Sequence, residues 1–395
     1  MKKMDGLSRR QFFSNAAKAG VAVSAAAAAG TLVPEMISKV TGGGEGQALA
    51  AGGEKHIFFS NKEVLFYDKL PDKKIKCKTC PRECTVGDRE RGFCGNKENH
   101  GGKYYTLAYG NPCSANTDPI EKKPLFHFLP GTQAFSLSTA GCNFDCKFCQ
   151  NWEISQSRPE QTRNYRAAPD DVVSYSRRTG AGSVAYTYGE PVVFLEYMLD
   201  CAAAAKKAGL RNVMISNGYI NKKPLQRVCR AMDAIKIDFK AFSDKFYRDV
   251  CLGELKPVLE TMQTIKSEGV WLELVTLLVP SMNDSADEMR KMSKWVKKNL
   301  GADVPVHFSR LSPMYKLKNL QPTPVSTMNR AYNIAKDEGL HFVYLGNVPG
   351  SDAENTYCPK CKKKIIGRYG FTVTENNIVK GRCRFCNAVI PGVWV

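Results

Sequence analysis

The sequence predicts an α/β protein in which a parallel barrel, whole or partial, lies between two cysteine-rich modules. Three observations carry that expectation. Seven short runs of β-branched and aromatic residues alternate with amphipathic stretches long enough for crossover helices, the pattern of repeated βα units. The chain holds 15 cysteines, and most of them fall in three tight groups placed before, inside and after the βα region. Hydrophobic residues make up 43% and charged residues 24%, values that exclude a disordered chain and an all-membrane fold.

Composition and spacing divide the chain at about residues 50, 130 and 350. Residues 1–50 carry Arg9 and Arg10 after Ser8, then an uncharged, alanine-rich stretch over 19–33 and the small-residue site Ala48-Leu49-Ala50. This looks like a twin-arginine export signal, which implies a periplasmic address. The alternative is a basic tail on a cytoplasmic protein. The apolar run falls short of the about 20 residues that a stable transmembrane anchor needs.

Residues 51–130 form the first cysteine-rich module. Cys77, Cys80, Cys84 and Cys94 have the asymmetric spacing C-x2-C-x3-C-x9-C, with Pro81 and Gly92 shaping the turns. Zinc and an auxiliary iron–sulfur cluster suit that donor set equally.

Residues 131–350 are the barrel. Strands are expected over 134–138, 183–188, 212–216, 234–239, 271–279, 304–309 and 341–345. A helix is expected over 169–178, opened by Pro169-Asp170-Asp171, and another over 192–207 with Leu195, Met198, Leu199 and Ala202 on one face. In such folds the loops after the strands converge on the active site.

Directly after the first of these strands stand Cys142, Cys146 and Cys149, in the pattern C-x3-C-x2-C. Three thiolates on one short loop can hold three irons of a 4Fe–4S cubane and leave the fourth iron open. The open iron can chelate the amino and carboxylate groups of S-adenosylmethionine (SAM).

The triad with Phe148 before its last cysteine, the continuation Cys149-Gln150-Asn151-Trp152, the segment Gly346-Asn347-Val348-Pro349-Gly350 and the ending Ile390-Pro391-Gly392-Val393-Trp394 resemble the radical SAM superfamily. More narrowly, they resemble its activase-like branch of AmmeMemoRadiSam system radical SAM enzymes. The resemblance extends over nearly all of the chain after the export segment. It implies a partial (β/α)6 barrel with the cluster at its mouth, and reductive cleavage of SAM to a 5′-deoxyadenosyl radical for hydrogen abstraction.

It also implies a set of SAM contacts. Tyr188-Gly189-Glu190-Pro191 is similar to the Gly-Gly-Glu-Pro motif that receives the SAM amino group, with Tyr188 in place of the first glycine. Ser216 opens the Ser216-Asn217-Gly218 motif, preceded by Ile215 where activases carry an acidic residue. Asp238 and Lys240 match an Asp-x-Lys pair for the ribose hydroxyl and the methionine carboxylate, chemistry that suits an acceptor-only carboxylate and a compact cation. Asn283 falls in a nucleoside-contacting loop. Tyr315 stands where activases often have a ribose-binding histidine.

Residues 351–395 pair Cys358 and Cys361 with Cys383 and Cys386, a zinc-ribbon spacing, with rubredoxin-like iron as the other metal candidate. Cys201 and Cys229 lie in helical patterns and read as core residues, while Cys113 and Cys251 stay undecided.

The formal net charge of +19 favours anionic partners, with unpartnered solvated charge as the alternative. The basic run Lys360 to Lys364 lacks interleaved aromatics, which counts against nucleic acid. A radical SAM enzyme needs a low-potential electron donor and a substrate, here unidentified, with a protein among the candidates. Two alternatives stand beside that reading: a glycyl-radical enzyme activase, and a non-catalytic exported protein that binds metal or nucleic acid.

Overall fold

The computed structural model describes residues 62–395. The segment around Arg9 and Arg10, and with it the expected export signal, lies outside the described residues.

The chain begins with small antiparallel pieces. Strands β1 (Tyr67–Lys69), β2 (Ile75–Cys77) and β3 (Thr85–Val86) form one sheet, and β4 (Lys97–His100) pairs with β5 (Lys103–Thr106) in a hairpin. Gly101 and Gly102 both take positive φ in the two-residue turn, the geometry that matches the twist of a hairpin and that glycine adopts without strain. Val64, Ile75, Val86 and Tyr104 bury themselves here together with Cys77. A core of this size is marginal by itself and gains from a metal staple.

The barrel follows. Strand β6 (Ser114–Pro119) lies antiparallel to β7 (Gln133–Ser138). Parallel strands then continue in chain order: β8 (Ser183–Tyr186), β9 (Arg211–Ser216), β10 (Ala234–Asp238), β11 (Trp271–Leu278), β12 (Val306–Arg310) and β13 (Val343–Gly346). All seven expected strands are present, and the sheet order is sequential from β6 to β13. Runs such as Ser183 to Tyr186 are buried throughout, as strands covered on both faces require.

Six helices make the crossovers: α1 (Pro169–Arg178), α2 (Leu195–Lys207), α3 (Lys222–Cys229), α4 (Leu255–Ser267), α5 (Ala286–Leu300) and α6 (Val325–Asp337). The α1 start follows its sequence: Pro169 occupies the first turn, Asp171 accepts the Ala168 N–H at 2.8 Å, and Arg177 and Arg178 close the other end. The helix expected over 192–207 is shorter than the sequence suggests. Residues Pro191–Phe194 form a 3-10 turn, and α2 starts at Leu195, because the Glu190 carboxylate takes the Val192 N–H at 3.1 Å. Cys201 and Cys229 are buried in α2 and α3.

The N-terminal ends of the strands are plugged. Glu273 on β11 accepts the N–H groups of Phe126 and His127 at 3.0 and 2.8 Å, and His307 Nε2 on β12 lies 2.9 Å from it. The C-terminal module supplies β14 (Thr356–Tyr357), β15 (Lys364–Tyr369), β16 (Thr372–Asn376), β17 (Ile378–Val379) and β18 (Arg382–Cys383). Its Arg368 donates to the Phe126 carbonyl at 2.7 Å, and Leu129 and Val393 are tied by a 2.7 Å backbone bond. With that end filled, the loops at the C-terminal ends of the strands are left to build a site.

Candidate active site

The loop after β7 carries Cys142, Cys146 and Cys149. Cys146 is buried and the other two are half-buried. The Phe144 N–H points at Cys142 Sγ from 3.3 Å, and the Ser155 hydroxyl lies 3.1 Å from Cys149 Sγ. Burial pushes the Cys142 thiol well above its ordinary range and raises Cys149 as well, so both hold protons at neutral pH until a metal displaces them. Cys251, undecided from sequence, is buried beside Cys146. Its hydrogen bond lowers the Cys146 pKa, while burial raises its own.

The loop after β8 reaches this triad through Glu190. Tyr188 sits at φ +63°, the left-handed region that glycine enters freely and that tyrosine occupies at a cost. Its hydroxyl bonds Asp118 and its ring lies under Lys123 Nζ at 4.4 Å, contacts that hold the backbone there. Gly189 donates to Ser138 Oγ at 3.0 Å, and a side chain at 189 would collide with that hydroxyl.

Glu190 itself is buried. It accepts Ser216 Oγ at 2.7 Å, the Asn217 N–H at 2.8 Å and the Val192 N–H at 3.1 Å. Burial raises its pKa to about 7 against the pull of those donors. Asn217 completes the connection: its Nδ2 bonds Asn143 Oδ1 at 2.8 Å and lies 3.8 Å from Cys142 Sγ. Sequence reasoning chose Ser216 from this motif and missed Asn217. The signal was present in the Ser-Asn-Gly triplet, but its reach to the cysteine loop is a tertiary fact.

At the end of β10, Asp238 is held by Lys236 on one side and by Lys240 Nζ at 3.4 Å on the other. Burial would raise the Asp238 pKa, and the two ammonium groups override it to about 2. Lys240 also lies 5.6 Å from the Phe148 ring centroid, and its charge acts on Cys146. Lys236 was missed from sequence because it reads as an ordinary strand residue. Asn283 uses its amide within the fold: it accepts the Val279 N–H at 2.6 Å and donates to the carbonyls of Lys240 and Leu277 at 2.7 and 2.9 Å. Tyr315 stacks on Trp152 with centroids 5.3 Å apart, and Lys316 pairs with Asp145 at 2.6 Å.

The flanking cysteine groups differ from each other. Cys358, Cys361, Cys383 and Cys386 bring their sulfurs within 4.8 Å of one another. Cys77, Cys80, Cys84 and Cys94 instead line one cavity together with the buried Lys97.

A loop of three thiols stands at the strand ends of the parallel sheet, next to a buried carboxylate and a paired cation. The family model described as the Radical SAM superfamily matches residues 136–294, which include the triad and the strand ends from β7 to β11. A relative described as uncharacterized protein MJ0808, from Methanocaldococcus jannaschii, is 45% identical over 331 residues, covering 83% of this chain and 98% of its own length. The pyruvate formate-lyase 1-activating enzyme of Escherichia coli K12 is 20% identical over 218 residues, 52% of this chain and 89% of that enzyme. Among solved structures, Streptococcus suis SuiB bound to S-adenosylmethionine aligns with a TM-score of 0.43 at 12% identity, over 58% of this chain and 53% of SuiB.

The chain belongs to the radical SAM superfamily. Its cofactors are a 4Fe–4S cluster and SAM. The structure offers a donor set that fits them: soft thiols on one loop, an N–H directed at sulfur, and a cation beside Cys146. Glu190 and Lys240 add one group of each sign, which suits the ammonium and carboxylate ends of SAM.

Proposed function

We propose that this protein binds SAM between the Cys142 loop and the ends of β8, β9 and β10, and uses it to abstract hydrogen from a polypeptide substrate. The observation that carries the proposal is the continuous chain of contacts from Cys142 through Asn217 to Glu190 and Ser216, which connects the metal-ligand loop to an acidic group. When bound, the cluster and SAM together supply a 5′-deoxyadenosyl radical. The residues of this chain bind, orient and exclude water. Cys142, Cys146 and Cys149 ligate the cluster. Glu190 receives the SAM ammonium group, aligned by Ser216 and the Asn217 N–H. Lys240 receives the carboxylate and Asp238 a ribose hydroxyl, with Lys236 keeping Asp238 ionised. Asn283 fixes the Lys240 backbone from the loop after β11.

The polypeptide substrate rests on relatives named as activating enzymes of pyruvate formate-lyase. In the same proposal the C-terminal cysteines take a structural zinc ion and Arg9 and Arg10 direct export. Metal analysis and cell fractionation test those two points.

The central experiment is anaerobic reconstitution with iron and sulfide, followed by dithionite and SAM, with 5′-deoxyadenosine as the readout. The expected result is product from the loaded protein and none from Cys146→Ala. A fully loaded protein that yields no 5′-deoxyadenosine overturns the proposal.

A further inference from the structure

We infer that Cys77, Cys80, Cys84 and Cys94 hold a second 4Fe–4S cluster rather than a zinc ion, on the far side of the backbone wall that carries Cys142. The inference stands on its own geometry and does not depend on the radical chemistry proposed above.

The first argument is spacing. A tetrahedral zinc–thiolate site, with Zn–S near 2.3 Å, places its sulfurs about 3.8 Å apart. The C-terminal group meets that dimension, with Cys358 and Cys386 at 3.6 Å and Cys361 and Cys383 at 3.8 Å. Among the described residues it is the group of three or more possible ligand side chains whose donor atoms close within 4.8 Å. The N-terminal four are not among the described groups that close to that dimension. They surround a cavity instead, and all four line it. A cubane attaches each of four thiolates to a different iron, so its ligands stand farther apart than those of a single ion and enclose a volume. The C-terminal group thus has the dimensions of a single zinc ion, while the N-terminal group lines a cavity.

The second argument is charge and hydrogen bonding around the cavity. Lys97 is 1% exposed and lines the same space. Its Nζ lies 3.1 Å from Thr79 Oγ1 and 3.5 Å from Glu196, leaving an ammonium group buried against the sulfurs. Glu196 is its buried ion-pair partner, and four metal-bound thiolates would place further anionic charge on its other side. The Phe93 N–H points at Cys84 Sγ from 3.5 Å, a donor of the kind that surrounds cluster sulfurs, and the Cys77 thiol donates to Thr79 Oγ1 at 3.6 Å.

The third argument is position. Gly141 takes φ +92°, and a side chain there would come within 2.5 Å of the Cys94 carbonyl. Arg82 donates to the Asn143 carbonyl at 2.6 Å, and Asn96 bonds the Ala140 carbonyl. The segment from Ala140 to Asn143 is therefore pressed against the N-terminal module. Asn143 lines the four-cysteine cavity, while Cys94 and Cys142 both line the neighbouring one. The two cysteine sites are next to each other.

The test uses the full chain carrying Cys142→Ala, Cys146→Ala and Cys149→Ala together, reconstituted anaerobically with ferrous iron and sulfide, and in parallel with zinc alone. We expect about four irons and about four sulfides per chain in this variant, with the visible absorption of a cluster. Adding Cys80→Ser and Cys94→Ser should remove that iron. Should the triple variant fail to fold, the unaltered protein decides: about eight irons per chain support a second cluster, and about four irons with two zinc ions overturn it. An unaltered protein that makes 5′-deoxyadenosine with only about four irons would sink the second cluster while leaving the radical reading intact.

Discussion

Ser216 Oγ donates to Glu190 Oε1 at 2.7 Å, joining the end of β9 to the loop after β8. Together with the Asn217 N–H it aims a buried carboxyl group whose pKa burial has raised to about 7. In the SAM site proposed above, an ionised Glu190 attracts the ammonium group and a protonated one does not. SAM affinity should therefore strengthen as pH rises through about 7 and level off above it. The Glu190→Gln variant should keep its iron, lose this pH dependence and bind SAM about tenfold to a hundredfold more weakly, the equivalent of about 1.5–3 kcal/mol for a charged hydrogen bond. Equilibrium binding across pH, with iron counted in parallel, checks it. Because the folded pKa lies above the ordinary glutamate value of 4.5, the SAM-free protein should also lose stability as pH climbs from about 4.5 to about 7.

The Lys236–Asp238–Lys240 cluster gives the opposite sign. Asp238 is held near 2 by its two lysines, so its contribution to stability is present above the ordinary aspartate value of 3.8 and is lost as pH falls toward about 2. Lys240→Met leaves Lys236 in place. It should therefore cost only about 1 kcal/mol of stability while weakening SAM binding about tenfold or more. Urea unfolding beside SAM binding separates the two effects. A large stability loss with unchanged SAM affinity would move Lys240 out of the binding site.

Much of this architecture was legible in local patterns. The triad, the βα alternation and the α1 start need only nearest-neighbour spacing. Asn217, Lys236 and Cys251 were not legible, because their meaning lies in partners elsewhere: Asn217 meets Asn143, 74 positions away. Strand β6, with sequence Ser-Ala-Asn-Thr-Asp-Pro, lacks alternating hydrophobicity and is a strand because β7 pairs with it along its whole length. The α2 start was misjudged because a helical period says nothing about a carboxylate that captures a first-turn N–H.

Gly253 has a packing role beside the triad. A side chain there would fall 2.1 Å from the Phe144 ring, and Phe144 sits between Cys142 and Cys146 in sequence. Gly253→Ala must push that ring, and with it the ligand loop. The expected cost is about 1–3 kcal/mol from overpacking, together with faster loss of iron to a chelator. Thermal unfolding and a timed chelation assay measure both. Unchanged iron retention would show that the loop absorbs the displacement elsewhere.

Arg368 offers a test of how the C-terminal module stabilises the barrel. Its guanidinium is buried, donates to the Phe126 carbonyl at 2.7 Å and to Thr356 Oγ1 at 2.8 Å, and lies 3.7 Å from Glu121. Arg368→Met would leave Glu121 buried without its cation and the Phe126 carbonyl without that donor. Removing one partner of a buried pair costs about 3–5 kcal/mol, which denaturant unfolding should read directly. The added change Glu121→Gln removes the stranded charge and should recover part of the loss, so the double variant should be more stable than Arg368→Met alone. Both variants should retain the thiol-bound iron of the Cys142 loop, because the plug and the site lie at opposite ends of the strands. Iron loss on Arg368→Met under conditions where the barrel stays folded would mean that the two ends are coupled.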